Sequence, residues 1–88
     1  MYKVKTDTKP ASLAGAIAHE LREKDTVELQ CVGAGAVNQA IKATIIARGY
    51  LKPTGTEIEL NTSFGEVELN GEKRTAIKFL LEGKNGTE

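Results

Sequence analysis

Two glycines one residue apart, Gly33 and Gly35, are the residues whose type and spacing most directly suggest chemistry. They follow an apolar run that ends at Val32 and precede a segment with helical periodicity. Glycine-rich turns between a strand and a helix let backbone N–H groups approach a phosphate closely. Three interpretations are open: a mononucleotide site, a phosphate contact with nucleic acid, or a tight turn that permits close helix packing.

The known nucleotide-binding motifs fit this turn poorly. The dinucleotide fingerprint needs a third glycine where Asn38 stands, and a chain of 88 residues is too short for a dinucleotide-binding domain. No Gly-Lys-Ser or Gly-Lys-Thr follows the glycines, so the P-loop pattern is absent as well. Asn38 and Gln39, in the first turn of the following helix, are candidate donors to an anion at the turn. A mononucleotide site is the least favoured of the three interpretations.

Four cations are further candidate phosphate ligands. Lys9 precedes the first predicted helix and Lys42 lies one turn into the second, so we expect both to flank the glycine turn. Lys73 and Arg74 follow an Asn-Gly turn, where a hairpin would present them. For each of the four, the alternative is an ordinary solvated surface residue.

The remaining reactive side chains form no catalytic or metal-binding motif. His19 has no second histidine or cysteine at ligand spacing, and no nucleophile stands in a recognisable pattern with a base. Cys31 is the only cysteine, which excludes an intrachain disulfide, and its apolar surroundings predict a small buried hydrophobe. We therefore predict a protein that is not an enzyme and that binds no metal or cofactor.

Charge is balanced over the chain but unevenly placed. Lys plus Arg and Asp plus Glu both number 12, whereas strong non-specific binders of nucleic acid are usually basic. The first ten residues hold three lysines against Asp7 alone, and the segment Glu57–Glu72 holds five glutamates and no basic residue. Only four aromatic residues are present, which disfavours a protein that stacks bases.

Hydrophobic periodicity predicts the order β-α-β-α-β-β in one domain of residues 1–83, followed by a flexible tail at 84–88. This pattern predicts two helices on a four-stranded mixed sheet, an α+β two-layer sandwich within the broad α/β class. The predicted strands cover Tyr2–Thr6, Thr26–Val32, the alternation around Ile58–Leu60 that resumes at Val67–Leu69, and Thr75–Leu81.

The helices carry their own start and stop signals. Pro10 fits the first turn of the first helix, with Thr8 or Ser12 as the capping residue, and Gly15 inside it predicts a closely packed neighbour. The second helix is expected to stop at Gly49 and is apolar on two sides. The sheet is expected to cover one of these sides and a neighbouring subunit the other.

No signal peptide and no apolar segment of about 18 residues is visible, so the expected location is the cytoplasm, with no membrane contact.

Several stretches of the sequence resemble one known family. The motifs GAGAVNQAIKA, IARGYL and RTAIK, within a similarity that covers nearly the whole chain, resemble the stage V sporulation protein S family. That family is similar in fold to Alba, the small archaeal chromatin protein. The resemblance implies a dimeric, nucleic-acid-associated regulator that acts in spore development where the host sporulates.

The resemblance also assigns positions. Lys9 matches a lysine of the Alba loop that contacts DNA, whereas Gly33 and Gly35 fall where Alba carries arginines. The basic arm of Alba corresponds to the acidic segment Glu57–Glu72. With fewer cations to neutralise phosphates, binding to DNA or RNA is expected to be weak to moderate and sensitive to salt. The expected assembly is a homodimer or a tetramer. The alternative function is a protein-interaction module whose acidic hairpin meets a basic protein partner.

Overall fold

A computed structural model describes residues 1–85 of the chain. Two helices and a four-stranded sheet account for almost all of them, in the predicted order. The elements are β1 (Tyr2–Val4), α1 (Pro10–Glu23), β2 (Thr26–Cys31), α2 (Ala34–Leu51), β3 (Thr56–Leu69) and β4 (Glu72–Asn85), with one turn of 3-10 helix at Lys52–Thr54.

The sheet is mixed, with the spatial order β1-β2-β4-β3. β1 runs parallel to β2, with Tyr2 opposite Leu29, and β4 runs antiparallel to both β2 and β3. Because β1 and β2 are parallel, both helices begin at the same end of the sheet. This places the start of α1, next to Lys9, on the same side of the molecule as the glycine turn.

The core lies between one face of the sheet and the two helices. Alternation along the strands turns Leu29, Phe79 and Leu81 toward the helices, and all three are at most 1% exposed. From the helices, the alanines of α2 and the aliphatic residues of α1 complete this layer. The helix-facing side of the sheet is called the inner face below, and the opposite side is called the outer face. The predicted fold, two helices on a four-stranded mixed sheet, is confirmed.

β3 and β4 form a hairpin that is much longer than the rest of the sheet. Each strand has 14 residues, and a tight turn with positive φ at both Asn70 and Gly71 joins them. β2 pairs only with residues Ile77 to Glu82 of β4, so the end of the hairpin extends beyond the sheet. A strand of this length spans roughly 45 Å, and it accounts for the 46 Å long dimension of the molecule.

Three predictions about helix ends and packing are wrong. α1 begins directly after Lys9 with no side-chain cap, because the hydroxyl of Thr8 accepts a hydrogen bond from the Lys5 N–H instead. α2 continues through Gly49 to Leu51, whose side chain is fully buried and needs that last turn. Gly15 has no heavy atom within 4 Å of the place where a Cβ would stand, apart from its chain neighbours and the backbone of its own helix, so no other part of the described chain packs closely there.

The first two residues of the predicted C-terminal tail, 84–88, belong to the sheet. β4 runs to Asn85, so Lys84 and Asn85 pair with β3 although the tail was expected to begin at 84. The rest of the predicted tail, residues 86–88, lies outside the described residues. Among the described helices, none combines the length and the apolar character needed to cross a membrane.

Candidate nucleic-acid interface

The loop between β1 and α1 is held in place by three hydrogen bonds. The Lys5 N–H donates to the Thr8 hydroxyl at 2.8 Å, and the Thr8 N–H donates to the Lys5 carbonyl at 3.1 Å. The Gln39 side-chain amide, on α2, then donates to the Thr8 carbonyl at 2.9 Å. This last bond ties the loop that carries Lys9 to the first turns of α2. Gln39 therefore positions the loop, a role that its sequence context did not suggest.

The glycine turn lies against the same loop. A Cβ on Gly35 would stand 2.7 Å from the Thr6 hydroxyl oxygen and 2.8 Å from the Thr6 methyl carbon, closer than Cβ atoms approach such neighbours in proteins. Gly35 thus allows α2 and the loop to touch, which supports the interpretation of close packing at this position. Gly33 has φ 95° and ψ 155°, a backbone conformation that is almost confined to glycine.

The start of α2 is uncapped by any side chain. The Gly33 carbonyl accepts the first hydrogen bond of the helix, from the Val37 N–H at 3.2 Å. The N–H groups of residues 34–36 come before this bond, and Gly33 has no side chain that could accept from them. No acidic residue stands in the first turn, so nothing offsets the partial positive charge of the helix start. Gly33 and Ala34 are exposed, so an anion in solution can reach these groups.

Two polar side chains continue this surface along α2. Asn38 and Lys42 are both exposed and lie four residues apart, so they share one face of the helix. Lys9 is exposed at the start of α1. The contacts of Thr6 with Gly35 and of Thr8 with Gln39 hold the loop that ends at Lys9 beside the glycine turn. We call the set Lys9, Gly33, Asn38 and Lys42 the loop–helix surface.

The two hairpin cations lie elsewhere and face opposite ways. Lys73 is on the inner face, where its Nζ lies 3.9 Å from a carboxylate oxygen of Glu66. Arg74 is on the outer face and forms no ion pair within the described residues. The structure thus places Lys73 and Arg74 on opposite faces of the hairpin, and Arg74 lies across a cleft from Lys5 and Thr6 of the loop between β1 and α1.

The acidic hairpin is less negative than its sequence suggests. Besides the Lys73–Glu66 pair, Lys84 and Glu59 form an ion pair at 2.9 Å. The hydrogen bond and charge of Lys84 lower the pKa of the Glu59 carboxyl, and Glu59 in turn raises the pKa of Lys84. Both groups are well exposed, so the pair adds little to stability. A docking role for the acidic hairpin stays a prediction, with fewer unpaired carboxylates than expected.

Cys31 and His19, the other reactive side chains considered in the sequence, lie in the core and on the surface respectively. Cys31 is fully buried, and burial raises the pKa of its thiol to about 11, so it stays protonated and unreactive at neutral pH. His19 lies on the surface of α1, 3.7 Å from a carboxylate oxygen of Glu23. Within residues 1–85, no three histidine, cysteine, aspartate or glutamate side chains are grouped so as to hold a metal ion.

Comparison with known proteins relates the chain to a sporulation family and to an archaeal fold. The family model described as "Stage V sporulation protein S" matches residues 1–84. Among solved structures, Alba from Thermoplasma volcanium superposes with a TM-score of 0.63 at 12% sequence identity, over 92% of this chain and 96% of that one. At such low identity the likeness concerns the fold alone, and the predicted Alba-like fold is confirmed.

Proposed function

The chain belongs to the stage V sporulation protein S family, and on that premise we propose that it is a non-enzymatic regulatory protein that binds nucleic acid through the loop–helix surface. One observation supports this most directly. The uncapped start of α2 is exposed next to the loop of Lys9, with Lys42 about two turns further along the helix. In hosts that form spores, the regulated process is spore development.

The proposed contacts are with phosphates. Backbone N–H groups at a helix start and lysine ammonium groups recognise the phosphate backbone and carry no base information of their own. Asn38 is placed to donate to the same or the next phosphate. Such a surface accepts DNA and RNA alike, and its small number of cations predicts weak to moderate affinity that falls as salt is raised.

The first test exchanges charge on this surface. The double variant Lys9→Glu, Lys42→Glu is expected to weaken binding by about tenfold or more, because it removes two cations and adds repulsion. The measurement is a fluorescence-anisotropy titration of labelled duplex DNA and of single-stranded RNA at low salt. The slope of log affinity against log salt is expected to fall by roughly two units, about one for each lost phosphate contact.

The matched control is Lys24→Glu, Lys52→Glu. It changes the net charge by the same amount at the opposite ends of α1 and α2. If the control weakens binding as much as the Lys9 and Lys42 variant does, the attraction is diffuse and the loop–helix surface is not the site. If the unmodified protein binds neither nucleic acid at high micromolar concentration, the proposed function is wrong.

We also propose that the protein assembles through α2. The face of α2 that points away from the core carries Ile41 and Ile45, which are 38% and 58% exposed. Asn38 and Lys42 lie on the same side of α2, so the loop–helix surface would border the interface. Phe64, on the inner face of the hairpin, is 80% exposed. A domain of this size buries a modest share of its surface by itself, and a second copy packed on these residues would remove apolar area from water.

Changing Ile45 to aspartate is expected to convert the assembly into monomers, because the interface would then bury an unpaired carboxylate. Light scattering coupled to size-exclusion chromatography measures the molar mass directly. Leu80→Asp, on the outer face of the sheet, is the control and should keep the mass of the unmodified protein. A monomeric unmodified protein, or an Ile45→Asp variant of unchanged mass, would contradict the proposed interface.

A further inference from the structure

The outer face of the sheet contains a cleft that the loop–helix surface does not use. Beyond Cys31, β4 loses its partner β2, and the overhanging hairpin forms one wall of the cleft. The opposite wall is built by β1, the start of the loop after it, and the end of β2. The cleft has a volume of about 580 Å³, within the range of about 300–1,000 Å³ that is usual for small-molecule sites.

Three of the four charged residues that line the cleft are cations. Lys3 and Lys5 line the wall of β1, and Arg74 lines the wall of the hairpin. Glu68 also borders the cleft, but it stands opposite Lys73 in the register, so alternation turns its carboxylate to the inner face. The outer face thus presents three positive charges around one cavity of a chain whose net charge is zero.

The three cations of the cleft form no ion pairs within residues 1–85, whereas the other basic residues of β4 do. The other basic residues of β4 each have a carboxylate partner: Lys73 has Glu66, Lys78 has Glu28 and Lys84 has Glu59. Within residues 1–85, Arg74 is the one cation of the hairpin without an ion pair, and neither Lys3 nor Lys5 has one. Their positive charge is therefore available to a ligand.

The rest of the lining is mainly apolar. Val32 and Val67 are partly buried in the walls, and Leu69 and Met1 are exposed at the rim, at 42% and 68%. The Gln30 side chain provides one amide group on the outer face. A cavity that joins an apolar lining to a few convergent cations suits a molecule with an apolar body and one anionic group.

We propose that this cleft binds a small organic anion, a carboxylate or phosphate monoester with an apolar body. The planar guanidinium of Arg74 can hold either group by two parallel hydrogen bonds, with Lys3 and Lys5 adding charge from the opposite wall. The apolar body lies along Val67 and Leu69. The cleft adjoins the loop–helix surface, because Thr6 lines the cleft and its side chain also lies against Gly35. The cations proposed to hold the anion, Lys3, Lys5 and Arg74, are not among the residues of the loop–helix surface.

The test uses nuclear magnetic resonance titrations of the intact protein with four probes: octanoate, octyl phosphate, octanol and inorganic phosphate. Saturable shifts are expected at the amides of Lys5, Val67 and Arg74 with one or both of the amphipathic anions. Octanol lacks the charge and inorganic phosphate lacks the apolar body, so each is expected to bind at least about tenfold more weakly than the better anion. Comparison of octanoate with octyl phosphate shows which anionic group is preferred.

Arg74→Gln is expected to weaken binding of the better anion by about three- to tenfold, since a charged partner is replaced by a neutral one. Lys73→Gln is the matched control, because it removes the neighbouring charge on the other face of the hairpin, and it should leave the affinity unchanged. Both sites are exposed, and the spectrum of each free variant verifies its fold.

Three results would overturn the proposal. The first is the absence of saturable shifts with either amphipathic anion at low millimolar concentration. The second is an equal loss of affinity in Arg74→Gln and Lys73→Gln. The third is binding of octanol as tight as that of the better anion, which would show that the three cations contribute nothing to recognition.

Discussion

Replacing Phe79 by alanine is expected to lower the free energy of unfolding by about 3–5 kcal/mol. Phe79 is the largest fully buried side chain, at 1% exposed, and it lies on β4 between β2 and β3. Its removal loses the burial of the ring and leaves a cavity in the layer beneath the helices. Small domains have total stabilities of about 5–15 kcal/mol, so this variant is expected to lose a large share of its stability.

Urea unfolding followed by circular dichroism, at one fixed protein concentration, measures this loss. The neighbouring Leu80 provides the control, because it is 36% exposed on the outer face of the same strand. Leu80→Ala should cost about 1 kcal/mol or less, since less apolar area returns to water. Equal losses for the two variants would show that the inner face of β4 is not the main core layer.

Replacing Gly33 by alanine is expected to cost about 1–3 kcal/mol, because the φ of 95° and ψ of 155° at this position are strained for any residue with a Cβ. Apart from Gly33 itself and the two residues next to it, no heavy atom of residues 1–85 lies within 4 Å of the place where that Cβ would stand. The cost is therefore one of backbone conformation and not of crowding. The same variant is also expected to bind nucleic acid more weakly, because the turn that presents the start of α2 must rearrange.

Gly15→Ala is the control for this prediction. Gly15 lies in the interior of α1, and a Cβ there would meet no other part of the described chain. Because alanine has a higher helix propensity than glycine, Gly15→Ala should raise stability by about 0.5–1 kcal/mol. The two substitutions add the same methyl group and are expected to have opposite signs in a denaturant titration. A neutral or stabilising Gly33→Ala would show that the turn relaxes to another conformation without cost.

The fold could be predicted from the sequence because local patterns and long-range packing agree along most of the chain. Alternation in β2 and β4 and the alanine stripe of α2 each indicate the face that is buried in the structure. The end of α2 could not be predicted in this way. Gly49 is a common stop signal, but the burial of Leu51 outweighs it, and Gly55, with φ 78°, ends the following 3-10 turn instead.

The sequence predicts that Lys9 and the glycine turn lie at the same end of the sheet, but it does not predict the hydrogen bonds that join them. The parallel arrangement of β1 and β2 follows from two β-α units, and it brings Lys9 to the glycine turn. The hydrogen bond from Gln39 to Thr8 joins residues 31 positions apart, and no local pattern signals it. The separation of Lys73 from Arg74 follows from strand alternation, but the ion pair with Glu66 depends on the register of the hairpin.

The glutamates of the hairpin have a consequence for how copies of the chain meet. β3 is an outer strand of the sheet, and its far side has no neighbouring strand in the described chain. A long, open strand of this kind can recruit the same strand of another molecule and start fibrillar aggregation. Glu57 and Glu68, which form no ion pair within the described residues, oppose such pairing by repulsion between copies. The acidic segment is therefore expected to protect the edge strand β3 from pairing with another copy, whether or not it also binds a protein partner.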